Sequence, residues 1–432
     1  MGNRLMNYVI IGNSAAGIAA AEAIRQIDRD SSLTIISDEP EHTYSRALIS
    51  YELAGWIDKG CLDLRPQEFY DDNHITRLLG QRAEKIDPAA QQVVLQNGNK
   101  IPYDKLLLAT GGSPQKTGIA GEEKKGVFGF RTVADLMKIY DTVKNAQSGV
   151  VLGGGCVGLQ AASGLHHHKV KTTIVIASPH LLSQVADPEC GDFFQELFEK
   201  NGIKVRTGVS PVEFKGGDSI EKVVFDDGTE LAAQIVIVGK GVKPNAQLAE
   251  GTGIKVDWGI LTDDHLLTAE PDIYAAGDVA VTEDRVTCES TVNAVWPCAY
   301  EQGRVAGLNM AGKDARYDGS MRMNAADFFG ISFISLGVVK PREDGYDMHT
   351  YYNKNKQLYR KLIFKNEKLV GAVLIGNVDN AGVLANLMRK QVDVSSIKQS
   401  LIDGQFDFGV IRPLIREQAD HFQETEYKEA YL

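Results

Sequence analysis

Two short glycine-rich segments constrain this sequence more than any other feature. GNSAAG begins at Gly12 after the apolar run NYVII, and GGGCVG begins at Gly153 after VVL. Each segment precedes a helix-forming stretch, and a further apolar run, LTIIS or TTIVIA, closes each unit. This order is typical of a βαβ unit that binds a dinucleotide. Because the first glycines lie so far apart along the chain, we predict two separate units rather than two halves of one.

The first segment has the composition of a pyrophosphate-binding turn. A glycine-rich turn lets the backbone approach the ligand, and the N–H groups at the start of the helix hold its charge. The candidate residues of this turn are Gly12, Ser14, Ala15 and Gly17. Asp38 and Glu39 close the second strand, about where an acid that binds a ribose hydroxyl is expected. A tight turn that only packs a helix on a sheet is the alternative interpretation.

The second segment matches the full GxGxxG pattern but lacks the acid. Its glycines are Gly153, Gly155 and Gly158. The strand that follows ends at Ile176, Ala177 and Ser178, without a carboxylate for the ribose of NAD and without an arginine for the phosphate of NADP. The sequence therefore does not separate NADH from NADPH.

Composition excludes several classes of function. The net charge of −11 disfavours binding to nucleic acid or to an anionic membrane. No apolar run reaches 18 residues, so we predict no membrane span and interpret FFGISFISLGVV as a buried strand. Three consecutive histidines, 166–168, point in different directions on a helix and are interpreted as a polar helix end rather than a metal site. We predict no metal site and no nucleic-acid partner.

The cysteines indicate a reducing compartment. They are Cys61, Cys156, Cys190, Cys288 and Cys298. Their number is odd and no CxxC pair occurs, which argues against a disulfide framework or a structural zinc site. The N-terminal segment runs directly into an apolar strand rather than a signal peptide. We therefore expect a cytoplasmic protein.

The length of 432 residues suits two or three domains. Asn97-Gly98 and Asp227-Gly228 each predict a hairpin after a βαβ unit. After residue 318, the sequence pattern becomes typical of an α+β domain. We predict an α/β fold with two Rossmann-like dinucleotide-binding domains, one inserted in the other, and a C-terminal α+β domain. The predicted boundaries are 1–115 with 246–318 for the first domain, 116–245 for the second, 319–410 for the third, and 411–432 for a polar tail.

Four further segments carry a resemblance to a known family. They are LLLATGGSP (106–114), VGKGVKPN (238–245), DIYAAGDVA (272–280) and EQGRVAGLNMAG (301–312). Together with both glycine motifs, they make the sequence closely resemble the FAD-dependent pyridine nucleotide-disulfide oxidoreductase superfamily. YSRALIS (44–50) and the C-terminal region most resemble rubredoxin reductases, bacterial ferredoxin reductases and the flavoprotein half of NAD(P)H nitrite reductases.

The resemblance implies a role for each candidate site residue. FAD would be bound by Gly12, Ser14, Ala15, Gly17, Asp38, Glu39, Arg46, Thr110, Gly111, Gly277, Asp278 and Trp296. NADH or NADPH would be bound by Gly153, Gly155, Val157, Gly158 and Gly241. Glu39 or Asp38 would hold the adenosine ribose, and Asp278 the ribityl chain. No side chain is expected to act as a general acid or base.

Two departures from the family pattern shape the functional hypothesis. Gln160 stands where the family usually has a glutamate near the nicotinamide, and the segment YSRALISYELAG lacks the redox cysteine of the disulfide reductases. The chain also has no iron–sulfur ligand spacing. We therefore expect electrons to pass from NAD(P)H through FAD to an external one-electron acceptor: a rubredoxin, a ferredoxin or an iron–sulfur subunit.

Three alternatives remain open at this point. The chain is a flavin subunit of a larger redox complex that relays electrons, even toward NAD; or it is an NADH oxidase; or it is a redox sensor that binds FAD without turnover. The sequence also leaves the oligomeric state open.

Overall fold

The computed structural model describes residues 4–422. The helices and strands fall into four consecutive stretches of chain. In the first, the elements are β1 (Asn7–Ile11), α1 (Ala15–Ile27), β2 (Ser32–Ile36), α2 (Ile49–Leu53), α3 (Phe69–Asp72), β3 (Ile75–Leu78), β4 (Ala83–Asp87), β5 (Gln92–Leu95), β6 (Lys100–Pro102), β7 (Lys105–Leu108) and β8 (Gly112–Pro114). In the second, they are β9 (Val127–Phe128), α4 (Val133–Val143), β10 (Ser148–Leu152), α5 (Cys156–His167), β11 (Lys171–Val175), α6 (Pro188–Lys200), β12 (Lys204–Arg206), β13 (Pro211–Lys215), β14 (Lys222–Phe225), β15 (Glu230–Ala232), β16 (Ile235–Val238) and β17 (Val242–Pro244).

The remaining two stretches complete the fold. The third contains β18 (Ile260–Leu261), β19 (Ile273–Ala275), β20 (Ala280–Glu283), β21 (Ser290–Thr291) and α7 (Trp296–Met310). The fourth contains β22 (Met323–Phe328), β23 (Ile331–Gly337), β24 (Asp347–Asn353), β25 (Leu358–Lys365), β26 (Lys368–Ile375), α8 (Ala381–Lys390), α9 (Lys398–Asp403) and α10 (Phe408–Glu417). Short 3₁₀ turns occur at Arg46–Leu48, Gln247–Ala249, Lys354–Lys356 and Ala419–His421.

The first parallel sheet is buried on both faces. Its strand order is β19-β7-β1-β2-β3. Successive side chains of a strand point to opposite faces. Tyr8 and Ile10 accordingly pack beneath α1 and α7, while Val9 and Ile11 pack beneath the three-stranded antiparallel sheet β4-β5-β6. This double burial explains why β1 reads as an almost continuous apolar run.

The second parallel sheet repeats this arrangement. Its order is β12-β11-β10-β16-β9, and the antiparallel sheet β13-β14-β15 covers one face. Helix α5 follows β10 as α1 follows β1. Both predicted hairpins are present, since β5 pairs with β6 and β14 with β15. The two units confirm the predicted fold class, and the boundaries between the domains stay predictions.

The C-terminal region is an antiparallel sheet with helices on one face. The strand order is β22-β23-β26-β25-β24, and α8, α9 and α10 cover one face through residues such as Leu384, Leu401 and Leu414. On the other face, Phe328 and Phe333 pack against the second unit. The C-terminal α+β prediction is therefore confirmed.

One sequence prediction is refined in this region and another needs correction. Most of FFGISFISLGVV is the strand β23, as predicted, but its first residue, Phe328, ends β22 and pairs with Ile331 across a two-residue turn at Phe329 and Gly330, whose φ angles are +53° and +80°. Residues 411–422 are also not a polar tail. They belong to α10 and a 3₁₀ turn, and Leu414 and Phe422 are buried in the C-terminal core, because α10 turns its apolar side inward. The rest of the predicted tail lies outside the described residues.

Within residues 4–422, no helix combines the length and the apolar character that crossing a bilayer requires.

Candidate functional site

The first glycine turn lies at the carboxyl edge of the first sheet and requires its glycines. Gly12 has a φ of +125°, and a Cβ atom there would collide with the carbonyl oxygen of Ala109. A Cβ atom at Gly17 would collide with the carbonyl oxygen of Gly12. The Gly12 amide donates to the Ile36 carbonyl at 2.8 Å. Because the two glycines have no side chains, β1, α1 and β7 pack closely around the turn.

Helix α1 presents an uncapped N-terminus beside this turn. Ser14 is the N-cap residue, and its side chain makes no capping hydrogen bond to the helix. The first N–H groups of a helix have no partner within it and carry partial positive charge. Ala15, the first helical residue, is buried and leaves no bulk over these groups. The arrangement fits a phosphate.

A polar cleft extends from the turn toward the end of β2. It is lined by Asn13, Ser14, Ser37, Glu39, Glu41, His42, Tyr44 and Arg46. Thr43 lies between two of these residues, and its hydroxyl is the one buried side-chain polar atom without a hydrogen-bond partner in the described part of the chain. Buried polar groups are normally satisfied. The Thr43 hydroxyl is an exception to this rule, and because Thr43 is fully buried and does not line the cleft, it identifies no ligand by itself.

Between the two candidate acids, the structure favours Glu39. Its carboxylate accepts a hydrogen bond of 2.5 Å from the Tyr44 hydroxyl and forms an ion pair with Arg46. Burial raises the pKa of Tyr44, which therefore stays a donor at neutral pH. Asp38 is exposed to solvent and does not line the cleft. Of the two candidate acids, Glu39 is thus the one that faces the cleft.

Arg131 joins this site, although sequence reasoning missed it. Its guanidinium pairs with Asp278 at 2.8 Å, and its carbonyl oxygen accepts a hydrogen bond from Arg46 at 3.4 Å. The guanidinium also lies 3.9 Å from a Cβ position at Gly111. No local motif marks Arg131, because its partner lies 147 residues away in sequence. It connects the cleft of Glu39 and Arg46 with the turn after β19.

The turn after β19 brings the other candidate FAD residues to the same edge. The Gly277 amide donates to Gln302 at 2.8 Å, and a Cβ atom at Gly277 would lie 3.2 Å from that of Ala16 in α1. Trp296 begins α7 and packs, partly buried, against the core beneath α1. The structure therefore gathers Gly12, Asp278 and Trp296 around the N-termini of two helices.

Thr110 lies where the chain crosses between the two sheets. The Thr110 hydroxyl donates to the Asn245 carbonyl oxygen at 2.8 Å, and the Asn245 side-chain amide donates back to the Thr110 carbonyl oxygen at 2.9 Å. The Asn245 backbone amide also donates to the Gly111 carbonyl oxygen. Asn245 ends the segment VGKGVKPN, from which the sequence predicted no role for it. It fastens the outgoing and returning connections to each other.

The second glycine turn has the same construction as the first. Gly153 has a φ of +139°, and a Cβ atom there would collide with the carbonyl oxygen of Gly239. A Cβ atom at Gly158 would collide with the carbonyl oxygen of Gly153. The Gly153 amide donates to the Val175 carbonyl at 3.1 Å. The turn is therefore pressed between β10, α5 and β16, as the first turn is pressed between β1, α1 and β7.

Three candidate nucleotide residues lie at the open side of this turn. Gly155 is the N-cap residue of α5, and space is free where its Cβ atom would stand. Gly241 has the same free space, and the Val157 side chain is 50% exposed. Backbone that is open at a helix N-terminus can approach a pyrophosphate closely. The geometry of the turn therefore suits a dinucleotide.

The Gln160 side chain forms a contact between two helices, α5 and α2. It is 6% exposed, and its Oε1 atom accepts a hydrogen bond of 2.9 Å from the Ser50 hydroxyl in α2. One helical turn later, a Cβ atom at Gly164 would lie 2.6 Å from Leu53. Gln160 therefore ties α5 to α2 through a neutral hydrogen bond. This tether links the first unit to the second beside the second glycine turn.

No cysteine lies on α2, the helix that follows the first βαβ unit. All five cysteines are free. Cys61 is exposed in the loop beyond α2, whereas Cys156 begins α5, where burial raises the pKa of its thiol to about 12. A thiol with a raised pKa is a poor nucleophile, because the thiolate is the reactive form.

The three consecutive histidines do contact different parts of the molecule. His166 packs against the Phe329 ring of the C-terminal hairpin, and His168 against the Tyr140 ring of α4. Between them, the His167 ring would be 2.5 Å from a Cβ atom at Gly55. The His167 and His168 rings also contact each other edge to face, with their centroids 5.2 Å apart.

Two family models match the chain. Residues 6–303 match the model described as pyridine nucleotide-disulphide oxidoreductase. Residues 323–392 match the model described as the rubredoxin NAD⁺ reductase C-terminal domain. The first match covers both glycine turns, and the second covers all five strands of the C-terminal sheet.

Individual relatives agree with these models. An assimilatory nitrate reductase electron transfer subunit from Bacillus subtilis is 32% identical over 91% of this chain and 51% of its own length. Subunit epsilon of an NADH-dependent phenylglyoxylate dehydrogenase from Aromatoleum evansii is 30% identical over 91% of this chain and 94% of its own length. The chain spans about half the length of several curated relatives that it matches, the Bacillus subunit among them.

A solved structure matches almost the whole fold. The covalent complex of putidaredoxin reductase with putidaredoxin contains a chain that matches with a TM-score of 0.85 and 25% identity. The match covers 98% of this chain and all of that chain.

Proposed function

Because the chain belongs to the pyridine nucleotide-disulphide oxidoreductase family, we propose that it is an FAD-dependent NAD(P)H oxidoreductase that passes electrons to an external one-electron acceptor. The observation that carries this proposal is a pair of equivalent glycine turns, at Gly12 and Gly153, each at the carboxyl edge of its own parallel sheet. Two dinucleotides can therefore bind to one chain, one as the prosthetic group and one as the electron donor.

The first turn and its cleft hold FAD. The uncapped N-terminus of α1 takes the pyrophosphate, Glu39 takes the adenosine ribose, and Arg131 keeps Asp278 oriented toward the ribityl chain. Bound there, FAD supplies a carrier that accepts electrons as a pair and releases them one at a time. Arg46 contributes positive charge between the cleft and Arg131. We assign no general acid or base, because orientation of the two ring systems accounts for most of the rate enhancement that this reaction needs.

The second turn holds NADH or NADPH. The open backbone at Gly155, with Val157 and Gly241 beside it, takes the pyrophosphate at the N-terminus of α5. Gln160 acts through Ser50, since its side chain holds α5 against α2 and so sets the distance between the two nucleotide sites.

The absence of a thiol on α2 supports an acceptor outside the chain. With no cysteine there, electrons have no relay through sulfur within this polypeptide. A small redox protein is the kind of acceptor that the comparisons favour, because the C-terminal model carries the name of rubredoxin reductases and the matched structure is a reductase joined to putidaredoxin. Rubredoxin and ferredoxin are the specific candidates. We place the protein in the cytoplasm, consistent with its five free thiols.

A second candidate function has its own support. Two relatives are named as subunits of larger enzymes, and the chain spans about half of one of them. In this alternative the chain relays electrons between protein partners and does not turn over alone. The neutral contact made by Gln160 in place of a carboxylate is compatible with either direction of electron flow.

Anaerobic reduction of the FAD-loaded protein tests the main proposal. We expect NADH or NADPH to bleach the flavin absorbance, and added rubredoxin or ferredoxin to restore it. Gly155→Val should abolish the bleaching and leave FAD bound, because the branched side chain fills the space that the pyrophosphate needs. Gly217→Val is the matched control, since it adds the same bulk in open space on an exposed hairpin of the same unit.

The outcomes separate the candidates. Bleaching that survives Gly155→Val would mean that the donor binds elsewhere. A wild-type protein that holds FAD but is bleached by neither nucleotide would favour the subunit function. Rapid NADH consumption in air without any protein acceptor would favour an NADH oxidase.

A further inference from the structure

The two glycine turns can be compared residue by residue, because their strands pair in the same register. Ile11 in β1 is the register partner of Ile36 in β2, and Leu152 in β10 is the register partner of Val175 in β11. The turn amide that follows bonds to the same strand end in both units, Gly12 to Ile36 and Gly153 to Val175. The residues after the second strand therefore correspond in order.

This correspondence identifies the residues around the adenosine ribose of the second site. Positions 37, 38 and 39 of the first unit correspond to positions 176, 177 and 178 of the second. The acids Asp38 and Glu39 are thus replaced by Ala177 and Ser178, and Ile176 replaces a serine. None of the three carries a charge.

Ile176 occupies the innermost of these positions and closes it to water. Its side chain is 5% exposed and lies 2.9 Å from a Cβ position at Gly154, the middle of the glycine turn. Ala177 is exposed and Ser178 is partly exposed. A ribose at this edge would meet hydrocarbon on its inner side and a small, open surface on its outer side.

The nearest cation on the neighbouring strand is already engaged. Arg206 ends β12, which pairs with β11, and the Ile176 amide donates to its carbonyl oxygen. The Arg206 guanidinium donates to Asp227 at 2.9 Å and to Thr229 at 2.8 Å, and it lies 4.8 Å from the centre of the Phe225 ring. Its charge is therefore directed at the hairpin β14-β15 and away from the end of β11.

We propose that the second site accepts NADH and NADPH with comparable affinity. The inference rests on the proposed function, because it concerns the donor of the same reaction. A carboxylate at the end of the second strand favours NAD by accepting hydrogen bonds from the ribose and by repelling a 2′-phosphate, whereas an arginine favours NADP. With neither charge at positions 176–178, both sources of discrimination are absent. The adenosine end is held by shape and by the pyrophosphate alone.

Calorimetric titration with NAD⁺ and with NADP⁺ tests this inference without any redox turnover. We expect the two dissociation constants of the FAD-loaded wild-type protein to lie within about tenfold of each other, which corresponds to less than about 1.4 kcal/mol. Ser178→Glu should shift the ratio at least about tenfold toward NAD⁺, because it restores a carboxylate beside the ribose. Ala177→Arg should shift the ratio by a similar factor toward NADP⁺.

Ser219→Glu is the matched control. It makes the same chemical change as Ser178→Glu at an exposed hairpin position of the same unit, and it should leave the ratio unchanged. A wild-type preference for either nucleotide above about a hundredfold would overturn the inference and leave the proposed oxidoreductase function intact. Failure of both nucleotides to bind would overturn the inference and the assignment of the donor site together. If the ratio stays unchanged in both site variants, the ribose lies elsewhere and the inference is also wrong.

Discussion

Charged side chains at the first site form a continuous line across the carboxyl edge of the first sheet. Glu39 pairs with Arg46, Arg46 donates to the Arg131 carbonyl oxygen, and the Arg131 guanidinium pairs with Asp278. The side chains of Arg131 and Asp278 are 21% and 16% exposed, so solvent screens this pair less than a surface pair. Loss of Arg131 would leave Asp278 without its cation.

Replacement of Arg131 should weaken the binding of FAD at the first site. Arg131→Leu should weaken FAD retention at least about tenfold, because Asp278 loses the partner that orients it and gains freedom to repel the pyrophosphate. Arg4→Leu is the control, since it removes an exposed arginine that pairs with Asp104 on the same unit. The fraction of flavin that remains after gel filtration and dilution measures the effect. Equal retention by the two variants would remove Arg131 from the site.

Residues whose role follows from the geometry of a local turn were predictable from the sequence. Residues whose role depends on a partner far away in sequence were not. Gly12 and Gly153 stand out because each turn needs a positive φ and a close carbonyl, which glycine alone provides without strain. Arg131 and Asn245 carry no such local signature. Their partners Asp278 and Thr110 lie far away in sequence, and only the fold brings them together.

At the scale of elements, two helices position the first site by packing unusually closely. Helix α7 crosses α1 at Gly303 and Gly307, where added Cβ atoms would collide with the carbonyl oxygens of Ala16 and Ala20. The contact begins in the first turn of α1, next to the first glycine turn. The position of the α1 N-terminus therefore depends on glycines that lie almost 300 residues later in the chain.

A single methyl group should disturb this crossing. Gly303→Ala should destabilise the protein by about 1–3 kcal/mol, because the helices must separate to admit the new atom. Gly382→Ala is the control, since this glycine lies in α8 with open space around it, and alanine there should be neutral or stabilising by up to about 1 kcal/mol. Urea unfolding followed by circular dichroism measures both. A neutral Gly303→Ala would show that α1 and α7 are further apart than the structure has them.

The sequence predicts these helices as elements but not their contact. EQGRVAGLNMAG has the composition of a helix, and its glycines reduce helix propensity rather than announce a partner. The hairpin at Phe329 was missed for a related reason. Its turn contains Phe329, an uncommon non-glycine residue with positive φ, so Phe328 at the end of β22 looks continuous with the apolar residues of β23.

At the scale of the whole molecule, a buried charge cluster joins the second unit to the C-terminal sheet. Asp187, the N-cap residue of α6, accepts hydrogen bonds from Tyr359 at 2.5 Å and from Lys361 at 2.8 Å, both on β25. Burial alone would raise the pKa of Asp187, but these hydrogen bonds hold it below its ordinary value of 3.8. The cluster therefore stabilises the contact while Asp187 is ionised.

Removal of one charge from this cluster should loosen the contact. Lys361→Met should cost about 3–5 kcal/mol at neutral pH, because it leaves a buried carboxylate without its cation. Lys354→Met is the control, since Lys354 pairs with Glu196 in the same interface but both side chains are more than half exposed. Its cost should stay below about 1 kcal/mol.

The stabilisation that Lys361 provides depends on pH. Because the pKa of Asp187 is lowered in the folded protein, its contribution is present at neutral pH and is lost as the pH falls through that lowered value. The difference in unfolding free energy between wild type and Lys361→Met should therefore narrow as the pH falls, and the narrowing should begin above the ordinary carboxyl pKa, because Asp187 in the variant is buried without its cation and takes up a proton more readily. A difference that stays constant down to pH 3 would mean that the ionised form of Asp187 does not support the interface.

The organisation of the chain into two dinucleotide units and a C-terminal sheet follows from the pattern of strands, turns and helices, which is repeated and therefore visible in sequence. The packing of α10 was hidden, because the polar residues that follow it dominate the composition of the last segment, whereas Ile411, Leu414 and Ile415 of α10 itself are apolar and buried. The cluster at Asp187 was equally hidden, since Tyr359 and Lys361 are ordinary strand residues until β25 is placed against α6.

An anaerobic reductive titration tests the central claim most directly, namely that reducing equivalents leave the flavin without a relay through this chain's own thiols. The FAD-loaded protein is titrated with dithionite and, separately, with NADH, while the flavin spectrum is recorded. We predict full bleaching after about two electrons per FAD and no long-wavelength band from a thiolate next to the flavin. Uptake of about four electrons per FAD, with such a band at the halfway point, would reveal a redox-active cysteine pair and contradict the account.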